Sequence, residues 1–426
     1  MAPPNPPGQQ RAGTLLRLPK LWIAPSVLAA LVTLVLSLLY MGGIIDPNGN
    51  LHRLPVAVVD ADTGPPLPGQ PASLGAQVAR SVVSAPPAGA IEWHQVSQAE
   101  AEDQLASGKV YGALVVPADF TASVVALTTG QAVKQPAITV LTNPGVGSLG
   151  SSMAAQINQT AARQASLAIG KQLTAAPAAA AAGATARLLL ADPVQVTTRV
   201  GHPIGRHSGL GLSAFYLTLL LVLSSFITGN LVHSGVDGAL GYADSEIGPW
   251  HSRRPTVPIG RTQTLVLKMA MTAGILVLTT TLVLVACITL LGIDASHIPL
   301  LWLFSYCACL AVGLGVQAIN AAFGSMGQLV SMFVFIALAL PSSGATVPLQ
   351  AVPSFYRFLG AFEPMRQLSA GVRAILYFDA RGDAGLTRGW IMISIGFAAA
   401  LVFGFLMTRY YDRKGFRRLT PQPQSA

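Results

Sequence analysis

The side chains able to do chemistry in this 426-residue sequence are few and widely spaced. Asp60 and Asp62 stand two apart in Asp-Ala-Asp-Thr-Gly, a spacing open to a metal or an acid–base pair. The same residues build Asx turns, and after the apolar run 54–59 turn chemistry is the expected use. His202 and His207, five apart in a Gly- and Pro-rich stretch, do not share a helix face and read as interfacial loop residues rather than ligands. Cys307 and Cys309 flank one alanine inside an apolar run, and Cys287 lies in another. Without further Cys or His at ligand spacing, neither a metal site nor a disulfide framework is expected. Gly170-Lys171 has Ala165 where a phosphate loop needs glycine and Gln172 where it needs Ser or Thr. His-Glu-x-x-His, Gly-x-Ser-x-Gly and an intramembrane carboxylate suited to proton relay are not found. The chain therefore reads as a non-enzyme with no cofactor, and any ATP hydrolysis would belong to a separate chain.

Two clusters of charge at the borders of apolar runs remain as candidates. In the first, Arg357, Glu363, Arg366 and Arg373 lie on a segment with Phe355, Phe358, Leu359 and Phe362 before Glu363-Pro364, and Met365, Leu368, Val372, Ile375 and Leu376 after it. The spacing predicts two short amphipathic helices broken at Glu363-Pro364 and lying at a membrane surface. They either cap a helical bundle or gate an exit and touch lipid headgroups through Arg357, Arg366 and Arg373. Glu363 beside lipid would need a partner, and a neighbouring arginine is the expected one. The second cluster, Asp237, Asp244, Glu246, Arg253 and Arg254 around Trp250, lies in the polar stretch 233–268. It is either a docking loop for a cytoplasmic partner or a solvated loop that sets topology.

The elements that would carry these clusters follow from hydropathy. The sequence is 52% hydrophobic and 10% charged, against roughly 25% charged in soluble domains, so a membrane α-helical class is expected. Residues 298–356 carry no charge. Their first part, 298–340, would measure roughly 65 Å as one helix, about twice the hydrocarbon thickness, and should fold back near Asn320, Gly324, Ser325 and Gly327. The reading is six transmembrane helices: 21–45, 209–232, 269–293, 298–322, 324–340 and 389–408. Residues 1–20 read as a disordered stretch running into a short interfacial helix. Residues 341–388 form the amphipathic, re-entrant segment, and 409–426 a basic tail. Arg11, Arg17 and Lys20 before the first helix, and Arg409, Arg413, Lys414, Arg417 and Arg418 after the last, predict both termini in the cytoplasm. Basic charge placed this way reports orientation, not nucleic-acid binding.

Residues 46–208 hold nine basic and nine acidic residues and should form an extracytoplasmic α/β domain inserted between helices one and two. Strands are expected at 54–60, 91–96, 110–116, 137–141 and 194–200, and helices at 74–83, 98–106 and 118–127, the second opened by a Ser97/Glu100 capping box. From Gly147 a long helix carries the stripe Leu149, Met153, Ile157, Ala161, Ala165, Ile169 and Leu173, packed on its own sheet or on a partner subunit. Residues 175–184 are a low-complexity connector.

The order one helix, large domain, five helices resembles the YhgE/Pip (phage infection protein) group of ABC type-2 permease-like proteins. The residues that carry the likeness are Leu54-Pro-Val-Ala-Val-Val-Asp-Ala-Asp-Thr-Gly64, the run 99–120, Asn143-Pro-Gly145, and the stretch from Leu340-Pro-Ser-Ser-Gly344 to Phe378. Ser354-Phe-Tyr-Arg-Phe-Leu-Gly360 is also similar to the nitrosoguanidine-resistance branch. The resemblance implies a homodimeric exporter in the cytoplasmic membrane, moving lipids, drugs or other hydrophobic compounds in contact with membrane lipid, with ATPase subunits on separate chains. The insert is far shorter than the coiled-coil stalks of some relatives. Alternatives are a membrane scaffold or receptor for envelope assembly and an ion-coupled carrier.

Overall fold

The structure is a computed structural model that describes residues 18–67, 70–84, 89–129, 134–175, 184–247, 249–252 and 254–416. The start of the chain to 17, most of the low-complexity connector and the end of the basic tail lie outside the described residues. Helix α1 (Pro19–Ile44) is continuous, so the short interfacial helix expected before the first apolar run is merged with it. Pro19 stands in the first turn, where its missing N–H costs nothing and its fixed φ suits a helix.

Between α1 and the next apolar helix comes a mixed five-stranded sheet built from β1 (Leu54–Asp60), α2 (Leu74–Val83), β2 (Ile91–Gln95), α3 (Gln98–Ala106), β3 (Gly112–Val116), α4 (Phe120–Thr128), β4 (Ala137–Thr142), α5 (Ser148–Ala175), α6 (Ala184–Ala191) and β5 (Gln195–Val200). Its order is β2-β1-β3-β4-β5, with only the β3–β4 pair antiparallel. The period of two in β1 divides the core. Val58 faces Val78, Phe120, Val124, Ala162 and Ile169 of α2, α4 and α5, while Ala57 and Val59 face Ala101 and Leu105 of α3. Ala161, Ala165 and Ile169 of the α5 stripe thus pack on its own sheet, while Met153 joins a cluster with Leu39, Val352 and Tyr356. Asp62 accepts the Gly64, Gly75 and Thr121 amides at 3.1, 3.0 and 3.1 Å and the Thr121 hydroxyl, so the aspartate pair serves turn chemistry. Asn143, fully buried, donates to Leu105 and Val110 carbonyls at 2.9 and 3.0 Å and fixes the Asn-Pro-Gly loop.

The remaining elements are α7 (Ser213–Ala239), the hairpin β6 (Ser245–Ile247) and β7 (Trp250–Ser252), α8 (Arg261–Leu284) continued by a π-helical turn (Val285–Leu290), α9 (Ile298–Phe323), α10 (Gly327–Met332), a π-helical turn (Phe333–Ala337), α11 (Ala339–Ser342), α12 (Ser354–Phe362), α13 (Pro364–Tyr377) and α14 (Thr387–Arg413). Among the described residues, five apolar helices are long enough to cross a membrane: Pro25–Ile44, Ser213–Ala239, Arg261–Leu290, Ile298–Ser342 and Gly382–Arg413. The fourth, of 45 residues, is bent back on itself. Gly324 has φ 58°, which a side chain would strain, and a Cβ at Gly315 would lie 2.6 Å from the ring of Phe335, a closeness that only antiparallel α9 and α10 allow.

Helix α9 is central, packed on α7, α8 and α14. Gln317, expected at the turn, instead sits about two helical turns before it, where it donates to the Gly229 carbonyl (2.8 Å) and Thr272 Oγ1 (2.9 Å), pinning α7, α8 and α9 together in an apolar interior. Gly315→Leu should overfill the α9–α10 contact and destabilise the protein by about 1–3 kcal/mol. Adding Phe335→Ala should recover part of that loss in detergent thermal unfolding; a neutral single variant would contradict the hairpin contact.

Candidate functional site

Helices α12 and α13 form an elbow at Glu363-Pro364. Glu363 ends α12, and its carboxylate caps α13 by accepting the Arg366 amide at 3.0 Å, while Pro364 opens the new helix. The expected ion pair to an arginine is therefore corrected: among the described residues no guanidinium lies within 4 Å of this carboxylate. Burial pushes the Glu363 carboxyl up to about 7, against the Met365 and Arg366 amides, which favour the charged form. Amide donors satisfy the oxygens without bringing a charged side chain into a crowded bend.

The arginines diverge. Arg357 turns back to the Val352 carbonyl (2.8 Å), Arg366 donates to the Gly360 carbonyl (3.1 Å), and Arg373 donates to the Ala345 carbonyl (2.9 Å). Arg366 and Arg373 face a cavity between the elbow and the sheet unit; the aromatic face of α12 points the other way, with Phe355, Phe358 and Phe362 53%, 65% and 68% exposed. That exposed stripe fits the amphipathic pattern.

The elbow is joined to both parts of the molecule. Phe378, just past α13, stacks on His202 (ring centroids 5.4 Å) and lies where a Cβ on Gly145 would be 2.9 Å from its ring. The His202 ring nitrogen meets the Tyr377 carbonyl at 2.8 Å, Arg381 reaches Asp103 at 2.8 Å, and Lys109 reaches Asp383 at 2.9 Å. Asn143-Pro-Gly145 is thus the docking point of the sheet unit. On the other side Leu368, Val372 and Ile375 join the core of α7 and α9. A second cavity of about 260 Å³ lies among α9, the π-helical turn at Phe335, α13 and α14, bordered by Gly315, Phe335, Leu368, Gly396 and Phe403, with no charge among the described residues of its wall.

At the far end of the bundle a polar cavity of about 680 Å³ is bordered by His233, Asp237, Arg261, Asn320 and Tyr411. Helix α7 runs past the expected end of the apolar run and α8 begins earlier, so the loop 233–268 is shorter than its sequence suggested. Asp237 is drawn into an ionic triad: Lys268 Nζ lies 2.9 Å from Asp237 Oδ1 and 2.9 Å from His233 Nδ1, and His233 Nε2 lies 3.4 Å from Asp237 Oδ2. Lys268 is 3% exposed. The sequence signal was His-x-x-x-Asp on one helix face, but its lysine is 31 residues further on, in the opening of the next apolar helix. Of the other loop candidates, Trp250 is 75% exposed on the β6–β7 hairpin, Asp244 lies 4.0 Å from His251, and Arg254 is exposed. Glu246 pairs with His251 in the strand register, and Arg253 lies outside the described residues. The structure does not gather them into one site.

Two outcomes follow. Because the Glu363 carboxyl is raised above its unfolded value, its own contribution to stability should be largest below about pH 4.5 and fall by about 3 kcal/mol as pH rises to about 7. Glu363→Gln should flatten that pH dependence in thermal unfolding; an unchanged slope would locate it elsewhere. Lys268→Ala should remove the ammonium 2.9 Å from Asp237 and cost about 3 kcal/mol, with Lys268→Met/Asp237→Leu less damaging than either single change in the same assay.

The chain is 28% identical over 145 residues to the uncharacterized protein YhgE of Bacillus subtilis (strain 168), a stretch that takes in 34% of this chain and 18% of that protein. No solved structure matches. The YhgE match is consistent with the YhgE/Pip-like group that the sequence resembles. Residues 25–396, from within α1 to within α14, match one family from end to end, and the chain belongs to that family, described as protein of unknown function (DUF3533).

Proposed function

We propose that the chain is a six-span permease of the cytoplasmic membrane that exports lipids, drugs or other hydrophobic compounds. The observation that carries the reading is the uncharged cavity of about 260 Å³ walled by α9, Phe335 of the π-helical turn, α13 and α14. An apolar pocket inside a helical bundle suits the hydrophobic part of an amphiphile. The reversal at Gly324 supports counting the 45-residue helical stretch as two crossings, hence six, with both termini on the cytoplasmic side. The sheet unit and the elbow then lie together on the outer side, and the α12 phenylalanines meet the outer leaflet. The β6–β7 hairpin with exposed Trp250 is the surface offered to a separate ATPase subunit, and the working unit is a homodimer.

The His233–Asp237–Lys268 triad, half-buried with only Lys268 fully shielded, favours a second reading, ion-coupled transport, because ionisable residues inside helical bundles commonly serve ion pathways.

Proteoliposomes containing the purified chain, with a fluorescent amphiphile as cargo, test both readings. Gly396→Leu fills the cavity while its Cβ would lie 3.8 Å from Ala311, and should lower the transport rate about tenfold with little change in unfolding temperature. Transport driven by a proton gradient without an ATPase selects the ion-coupled reading, and a silent Gly396→Leu removes the cavity from the pathway.

A further inference from the structure

Helix α13 separates two unlike cavities. Pro364 and Leu368 border the apolar one; Arg366, Ala370 and Arg373 border the other, of about 160 Å³. At 100° per residue Arg366 and Arg373 lie within about 20° of each other around the helix, and Pro364 and Leu368 lie roughly 140–200° away. One helix therefore presents an oily face to one space and two guanidiniums to another.

The arginine cavity has no negative charge of its own. Its wall includes Gly108 and Tyr111 from the sheet unit and Ser343 and Gln350 from the connection between α11 and α12. Among the described residues neither arginine has a carboxylate within 4 Å. The ionisable groups nearest them are the Tyr111 and Tyr377 hydroxyls, neutral at physiological pH, and a third arginine, Arg388. Arg373 Nε is shielded from solvent and has no hydrogen-bond partner. A guanidinium keeps its proton throughout the physiological range, so withdrawing two from water without a counter-charge costs several kcal/mol. The single backbone carbonyl each one meets offsets only part of that cost.

We propose that this cavity is a phosphate site: Arg366 and Arg373 bind the phosphate of a lipid headgroup or a free phosphate, with Tyr111 closing the pocket from the sheet side. Two guanidinium forks match the charge and oxygen geometry of a phosphate group, and the volume admits a head but not acyl chains. Occupancy would tie the sheet unit to the elbow through one ligand. The inference deepens the export reading by giving its amphiphile a phosphate head, yet binding requires no transport and is tested without it.

The test uses the purified full chain in detergent. In one arm inorganic phosphate is titrated against chloride at equal ionic strength while thermal unfolding is followed. In the other, native mass spectrometry measures retention of phosphatidylglycerol against a diacyl galactolipid with the same chains. Saturable stabilisation by phosphate assigns the site to free phosphate, and preference confined to the phospholipid arm assigns it to a headgroup. In either case Arg366→Gln/Arg373→Gln should weaken binding at least about tenfold, and Arg373→Lys, which keeps the charge but not the fork, should fall between. Absence of preference in both wild-type arms overturns the proposal even if the double variant fails to fold. So does a folded double variant that binds as wild type. Loss of transport with binding intact would count against the export reading alone.

Discussion

The close approach of α13 to its neighbours is the constraint on which the arrangement depends. Phe304 of α9 fits against Gly371 of α13 and Gly389 of α14, where any Cβ would collide with its ring. Phe378 occupies the corresponding role on the other side, against Gly108 and Gly145. Two phenylalanines received by two pairs of glycines hold one helix between the bundle and the sheet unit. Such packing brings backbones near enough for dispersion to act over the whole contact, and it leaves little room for a larger side chain at either glycine pair.

Polar groups inside the bundle are concentrated towards the end remote from the sheet. Gln317 bridges Gly229 and Thr272, Asn320 donates to Asn230 at 3.0 Å, and Tyr411 donates to the Ala322 carbonyl at 2.8 Å. The ionic triad lies just beyond. Towards the sheet the same helices meet through Leu217, Leu221, Phe304 and Val312, so cohesion changes character along the bundle axis. An interior of this kind fixes helix register with directional bonds in one half and accommodates apolar material in the other.

Legibility in the sequence followed the range of the interactions. β1, α2 and α3 depend on local periodicity and a Ser97 cap, and their bounds could be read directly. The reversal near Gly324 was visible because a 43-residue uncharged run cannot be one crossing and only small polar residues could turn it. The antiparallel placement of β4 beside β3 is set by strand pairing across α4, which local pattern does not encode. Asp237 and Lys268 are 31 residues apart, and their pairing needs the helices to be placed first. Glu363 was misassigned an arginine because sequence proximity favoured one, whereas its own helix supplied amide donors at shorter reach. Which of Arg357, Arg366 and Arg373 turn inward is decided by the sheet unit resting on the elbow, a contact that sequence pattern does not encode.

Helix α1 is attached to the rest almost entirely at one end. Only 11% of its apolar stretch is buried; Tyr356 donates to the Leu38 carbonyl at 3.0 Å, and Leu39 and Gly43 sink beside it. The 26-residue helix is consequently a lever with its fulcrum in the elbow. Along the arm of about 29 Å from Leu38 to Pro19, a swing of about 10° at Tyr356 displaces the opposite tip by about 5 Å. Small rotations of α12 are thereby magnified into sideways travel of the Pro19 end.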